Sequence, residues 1–176
     1  MHILIGLTYY RPHYSGLTIY AERLARGLAN AGHRVTVLTS RFNPDLPLKE
    51  VKDGVTIIRP AVRLRLSKGV IMPSLPVWAW RLLHDVDVVN LHLPQMDAAY
   101  VSWIARAMGK PVVMTYHCDL KLPVGVVHWV ANQGAHLASH LTAAASKVIV
   151  TNTQDYAENS AFLRPYLSKM RFIPPP

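Results

Sequence analysis

With 176 residues, 51% of them apolar and 16% charged, the chain is long enough for one domain with a full core and too apolar to be disordered. Its formal charge of +9, with nine histidines besides, favours an anionic partner. A single cysteine, Cys118, excludes an internal disulfide and fits a reducing compartment, and no uninterrupted apolar run approaches the ~20 residues of a membrane span.

Ile3, Leu4, Ile5 and Leu7 predict a first strand, with no basic segment before it to mark a secretory leader. The strand runs into a polar, aromatic loop over residues 8–16. Leu17, Tyr20, Ala21, Leu24, Leu28 and Ala31 recur at helical spacing, so a helix opens near Leu17. Glu22, Arg23, Arg26 and Asn30 fall on its polar side, and Gly32 stops it in the left-handed conformation that glycine adopts without steric cost. Residues 34–39 form a second strand. The loop between strand and helix suits phosphate: Gly16 lets a backbone approach closely, Ser15 offers a hydroxyl, and the first helical amides have no partner within the helix. Ser15 fits equally well as a plain N-cap. The dinucleotide fingerprint G-x-G-x-x-G is absent.

Residues 41–52 read as a polar loop marked by prolines, and residues 55–59 as a third strand ended by Pro60. Basic and apolar residues then alternate over residues 61–72. One reading is an edge strand guarded by its charges. The other is a surface patch for an anionic membrane, with charge from Arg59, Arg63, Arg65 and Lys68 and apolar bulk from Leu64, Leu66, Val70 and Ile71. Residues 73–84 predict a helix with Leu75, Trp78, Ala79 and Leu82 on one side. Residues 85–92 are a nearly continuous apolar strand, as in a buried parallel sheet, and it delivers His92 to its carboxyl end. A helix over 95–108, closed by Gly109, leads to a strand over 111–116 that ends in His117, Cys118 and Asp119. Residues 122–145 read as a long, interrupted helical region. A strand over 147–151, a helix over 154–163 capped by Asn152 and Thr153, and a strand over 169–173 complete the chain.

Strands alternate with helices throughout, which predicts an α/β fold: one Rossmann-like, doubly wound parallel sheet over residues 1–176 with helices on both faces. Loops after parallel strands gather on one edge, where such sheets bind ligands. His117 and Asp119 are therefore the candidate catalytic residues, Ser15 and Gly16 the candidate phosphate contacts, and Tyr10, His13, His92 and Asn152 further cleft residues. His117 there would donate to a hydroxyl or a phosphate oxygen, and Asp119 would orient His117, accept from hydroxyls, or cap the next segment. Metal readings are poor: His136 and His140 have i, i+4 spacing without the intervening glutamate of H-E-x-x-H, and Cys118 has no second cysteine.

Taken together, these motifs resemble the N-terminal domain of a retaining GT-B glycosyltransferase of family 4, the group 1 glycosyl transferases. The resemblance rests on the first strand, the Ser15-Gly16 loop, residues 21–39, 87–92, 111–120 and 146–152, and the closing Met170-Arg171-Phe172-Ile173-Pro174. It implies transfer of a sugar from a nucleotide-diphosphate sugar to an acceptor hydroxyl, lipid-linked or small, with retained configuration and no metal or other cofactor. It also implies that Ser15 and Gly16 face the donor diphosphate and that His117 contacts the transferred sugar. The family usually has two glycines in the first loop, where this chain has Ser15 and Gly16. Its E-x-x-x-x-x-x-x-E donor motif is absent, since Glu22, Glu50 and Glu158 have no glutamate eight positions on. The expectation is an acceptor-side domain whose C-terminal, donor-binding domain is not in this chain, working in the cytoplasm or peripherally at the inner face of the cell membrane. Two alternatives are a GT-B nucleotide-sugar epimerase, which needs acidic groups in the cleft, and a basic nucleic-acid module. The basic residues are dispersed outside 59–68, so no nucleic-acid partner is expected.

Overall fold

A computed structural model describes residues 1–66, 69–119 and 126–176. It opens with β1 (His2–Gly6), α1 (Gly16–Asn30), β2 (Arg34–Leu38), β3 (Lys49–Lys52) and β4 (Val55–Ile58). A small hairpin of β5 (Leu64–Leu66) and β6 (Gly69–Ile71) precedes α2 (Leu75–Leu83), β7 (Val88–Leu93) and α3 (Ala98–Ala107). Then come β8 (Val112–Tyr116), α4 (Val126–Ala145), β9 (Val148–Thr151), α5 (Gln154–Asn159), a 3-10 turn (Arg164–Lys169) and β10 (Met170–Phe172).

Eight strands form one sheet in the order β10-β9-β8-β7-β1-β2-β4-β3, and only the β3–β4 pair is antiparallel. This is the Rossmann-like doubly wound fold expected from the alternation of elements. Strand residues alternate between two cores, because successive side chains of a strand point to opposite faces. Ile3, Ile5, Val35, Val37, Val55 and Ile57 pack under Ala21, Ala25, Leu24 and Leu28 of α1. Leu4, Leu38, Ile58, Leu91 and Met114 pack on the other side against Leu75, Ala79 and Leu83 of α2 and Ala98, Val101 and Ala105 of α3. The chain builds outward from β1 through β2 to β4, then returns to place β7 on the other side of β1. That reversal opens a crevice beyond the carboxyl ends of β1 and β7. Gly32 has φ +83, so the expected helix stop is in place.

Four expectations need correction. The loop expected over 41–52 contains β3, whose Lys49, Val51 and Lys52 are exposed on the sheet's outer edge. The helical region expected to be interrupted is continuous over Val126–Ala145, and its expected start at Leu122 lies outside the described residues. The helix expected over 154–163 ends at Asn159. Arg59, read as part of an exposed basic stretch, is 0% exposed and pairs with Glu50 at 2.5 Å. Burial of the apolar strand β4 carries the residue after it inside, and Glu50 of the neighbouring strand neutralises it. Arg63 and Arg65 are exposed, and Lys68 lies outside the described residues. No described helix is long and apolar enough to cross a membrane.

Candidate functional site

The loop from β1 to α1 is braced from three sides. The Arg11 guanidinium pairs with the Glu22 carboxylate of α1, donating from Nε at 2.6 Å, and sits 3.9 Å over the Tyr14 ring. Tyr9 and His13 stack with centroids 4.7 Å apart, and Phe42 meets both rings edge-on. From below, buried Arg59 donates through Nη2 to the Arg11 carbonyl at 3.0 Å. These contacts fix where α1 begins.

Ser15 is the N-cap of α1. Its backbone is extended at φ −156 and ψ 165, and its Oγ accepts the Thr18 amide at 3.2 Å. The Thr18 hydroxyl lies 2.9 Å from the same oxygen. The Ser15 side chain is thus committed to the helix. The amides of Gly16 and Leu17 are not: neither has a hydrogen-bond partner among the described residues. A Cβ on Gly16 would meet nothing within 4 Å, so the approach to these two donors is open. Free amides at the positive end of a 15-residue helix suit an anion.

His92 and His117 meet beside the same helix. In the sheet register His92 faces Thr115, which makes His117 its diagonal neighbour two residues on. Their rings lie nearly parallel, 18° apart with centroids at 5.1 Å, and His92 Nδ1 is 2.9 Å from His117 Nε2. Tyr20 of α1 stands edge-on to both, at 5.7 Å from His92 and 4.8 Å from His117. Gly16 and Tyr20 are a single turn apart, about 6 Å of helix rise, so the free amides and the imidazole pair share one end of the crevice. His92 is fully buried, and its Nε2 has no partner among the described residues. Burial, with His117 alongside, lowers the His92 pKa to about 3, and burial lowers that of His117 to about 4. Both rings are neutral at pH 7.

The remaining candidates divide. Tyr10, expected in the cleft, is 3% exposed and belongs to the core under α1, its hydroxyl pKa pushed up to about 12 by burial and by Glu22. The adjacent strand draws its side chain inward. His13 stays at the loop, half-buried, with Nδ1 enclosed and unpartnered among the described residues. Asp119 does not orient His117. Its Oδ1 accepts from Tyr116 at 3.0 Å and from Ser160 at 2.9 Å, while its amide donates to the Tyr156 hydroxyl at 2.8 Å. It ties the loop after β8 to α5. Asn152 follows β9 at the same sheet edge, half-buried and without a hydrogen bond to a described residue. Of the expected set, then, the structure gathers Gly16, His92 and His117, gives Ser15 and Asp119 structural bonds, and removes Tyr10.

Two residues were missed from sequence. Tyr20 reads as one apolar helix position among several, although a tyrosine four residues into a helix from a phosphate-suited loop was a usable signal. Asp97, between β7 and α3, is 8% exposed, and burial pushes its carboxyl up to about 6. Nothing in its local sequence foretold that burial. Among the described residues no three His, Cys, Asp or Glu side chains gather as a metal site.

The model of a family described as glycosyl transferase 4-like domain matches residues 15–176. Comparison with curated sequences finds no match. Among solved structures, one of sucrose-phosphate synthase from Thermosynechococcus elongatus superposes with a TM-score of 0.63 at 16% identity, over 99% of this chain and 88% of that one. A longer structure of that enzyme gives 0.60 at 18% identity over 98% of this chain and 47% of its own length, so this chain spans about half of it. At these identities the likeness is one of fold. The family match covers the helix that carries the free amides and the strands that carry both imidazoles. The chain is a glycosyltransferase domain of the GT-B type and belongs to the glycosyl transferase 4-like family.

Proposed function

We propose that this domain forms the acceptor side of an enzyme that transfers a sugar from a nucleotide-diphosphate sugar to an acceptor hydroxyl with retention of configuration. The observation that carries the reading is the junction of two free helix amides and a neutral imidazole pair at the sheet's reversal point. The amides of Gly16 and Leu17 would take diphosphate oxygens, and His117 would contact the transferred sugar. The bond from the anomeric carbon to the diphosphate breaks, the acceptor oxygen takes its place, and the acceptor proton leaves with the nucleoside diphosphate. Charge then builds on the departing diphosphate, and fixed donors aimed at it stabilise the transition state. A neutral His117 donates a hydrogen bond without adding charge. No metal or organic cofactor enters this reading. The rest of the donor contacts would come from a C-terminal domain. The acceptor would be lipid-linked or small, and an anionic membrane surface would meet the exposed Arg63 and Arg65.

The test is transfer by the full-length protein from UDP- and GDP-sugars to a panel of lipid-linked and small acceptors, with the product anomer read by NMR. Transfer with the donor's configuration supports the proposal. Inversion, epimerisation of the donor, or no product with any donor overturns it.

A further inference from the structure

We infer that His92 is a positioning residue: its hydrogen bond to His117 holds His117 in a single tautomer, with the proton on Nδ1 facing the crevice. The inference deepens the proposed sugar contact and rests on that reading for its catalytic meaning, though the tautomer itself does not.

Two neutral imidazoles joined between Nδ1 of His92 and Nε2 of His117 hold one proton between them. The tautomers are therefore coupled. If His92 donates from Nδ1, both rings carry the proton on Nδ1. If His117 donates from Nε2, both carry it on Nε2. The buried end of the pair decides between them. Nε2 of His92 is enclosed and has no partner among the described residues. In the second arrangement that atom is an N–H with no acceptor. In the first it is a bare lone pair, and buried acceptors go under-satisfied more often than buried N–H groups. The first arrangement wins. His117 then offers Nδ1–H outward, where no described residue bonds it.

The geometry leaves little room for another role. The Tyr20 edge confines both rings, and the His117 amide is pinned to the Leu93 carbonyl at 3.1 Å. No described carboxylate bonds either ring, and burial holds both neutral, so no nearby charge overrides the preference. In this tautomer His117 donates to a sugar oxygen and does not abstract a proton from the acceptor.

Long-range 1H–15N correlation spectra of the 15N-histidine-labelled chain read the tautomer directly, without any substrate. The expected wild-type result is His117 protonated on Nδ1 and bare on Nε2 between pH 6 and 8. His92→Phe should release His117 to the Nε2–H form or a mixture. His92→Asn, whose amide donor takes the place of Nδ1–H, should restore the Nδ1–H form. In the full-length enzyme, kcat should fall about 10–100-fold in His92→Phe, as for other residues that orient a functional histidine, and recover in His92→Asn. A wild-type His117 protonated on Nε2, or one unchanged by His92→Phe, overturns the inference. If His92→Phe does not fold, the wild-type and His92→Asn spectra decide. A correct tautomer in a protein that transfers no sugar would sink the proposed function and leave this assignment standing.

Discussion

An imidazole withdrawn from water resists its proton, and His2, His92 and His117 are all held below the usual histidine pKa chiefly by burial, in His2 against the pull of Asp85 and Asp87. His2 is the structural case: its two ring nitrogens are engaged by the Asp85 carbonyl at 2.8 Å and the Thr36 hydroxyl at 2.9 Å. The unfolded chain protonates all three near pH 6.5, whereas the native state does not. Stability is therefore fully present above pH 6.5 and falls as pH drops below it, by up to about 1.4 kcal/mol per pH unit for each proton. Asp97 acts oppositely. Its raised pKa lets the native state bind a proton below about pH 6, which offsets one of the three. Urea midpoints should accordingly fall between pH 7 and 5, and less so in His92→Phe. A flat midpoint would mean that these rings are solvated. At the same scale, His117→Ala in the full-length enzyme should cost about 2–4 kcal/mol in kcat/KM with the fold intact. Unchanged kcat/KM would remove His117 from the site.

At the scale of the element, the start of α1 separates folding from binding in adjacent residues. Ser15→Ala removes the cap and should cost about 1 kcal/mol of stability. Gly16→Ala places a methyl in open space and should leave stability unchanged or a few tenths of a kcal/mol higher. In the full-length enzyme it should still raise the donor KM several-fold, because a helical Cβ tilts toward the helix N-terminus, where the two free amides open. An unchanged KM would show that the donor does not approach there. The buried pair is the other element-scale test. Glu50→Ala leaves the Arg59 charge inside with only the Arg11 carbonyl, and should cost about 3 kcal/mol by urea denaturation. The double change Glu50→Leu with Arg59→Met should cost less. Much of this level was legible: the apolar run of β1, the strand after Gly32, the Ser15 cap and the Gly32 stop each follow from local sequence. β3 was hidden by its charge, although Asp53 and Gly54, with φ +51 and +75, are the Asp-Gly turn that announces a two-residue hairpin. Arg59 was misread because a strand's last residue and a surface residue look alike without the neighbouring strand that supplies Glu50. The pairing of His92 with His117 is tertiary. Sequence placed both on one edge, but only the adjacency of β7 and β8 makes them touch.

For the molecule as a whole, the strand order decides what the domain does alone. The reversal between β1 and β7 opens the crevice, and α1, the loop after β7 and residues 117–119 after β8 line it from one side. Two cores packed on a single sheet should make the 176-residue chain fold by itself, because local patterning and tertiary packing agree on one architecture. Nucleotide binding is another matter. The charge-selective donors here are two backbone amides at one helix end, and the paired imidazoles are neutral. In an open half-cleft, water competes for the same donors and salt screens the helix end, so the gain per contact is small. The expected dissociation constant of the isolated chain for UDP or GDP is about millimolar or weaker, near −4 kcal/mol, with no sugar transfer. Titration calorimetry on the purified chain measures this. Micromolar affinity, or measurable turnover, would mean that the donor site is complete within these residues and that no second domain is needed to close it.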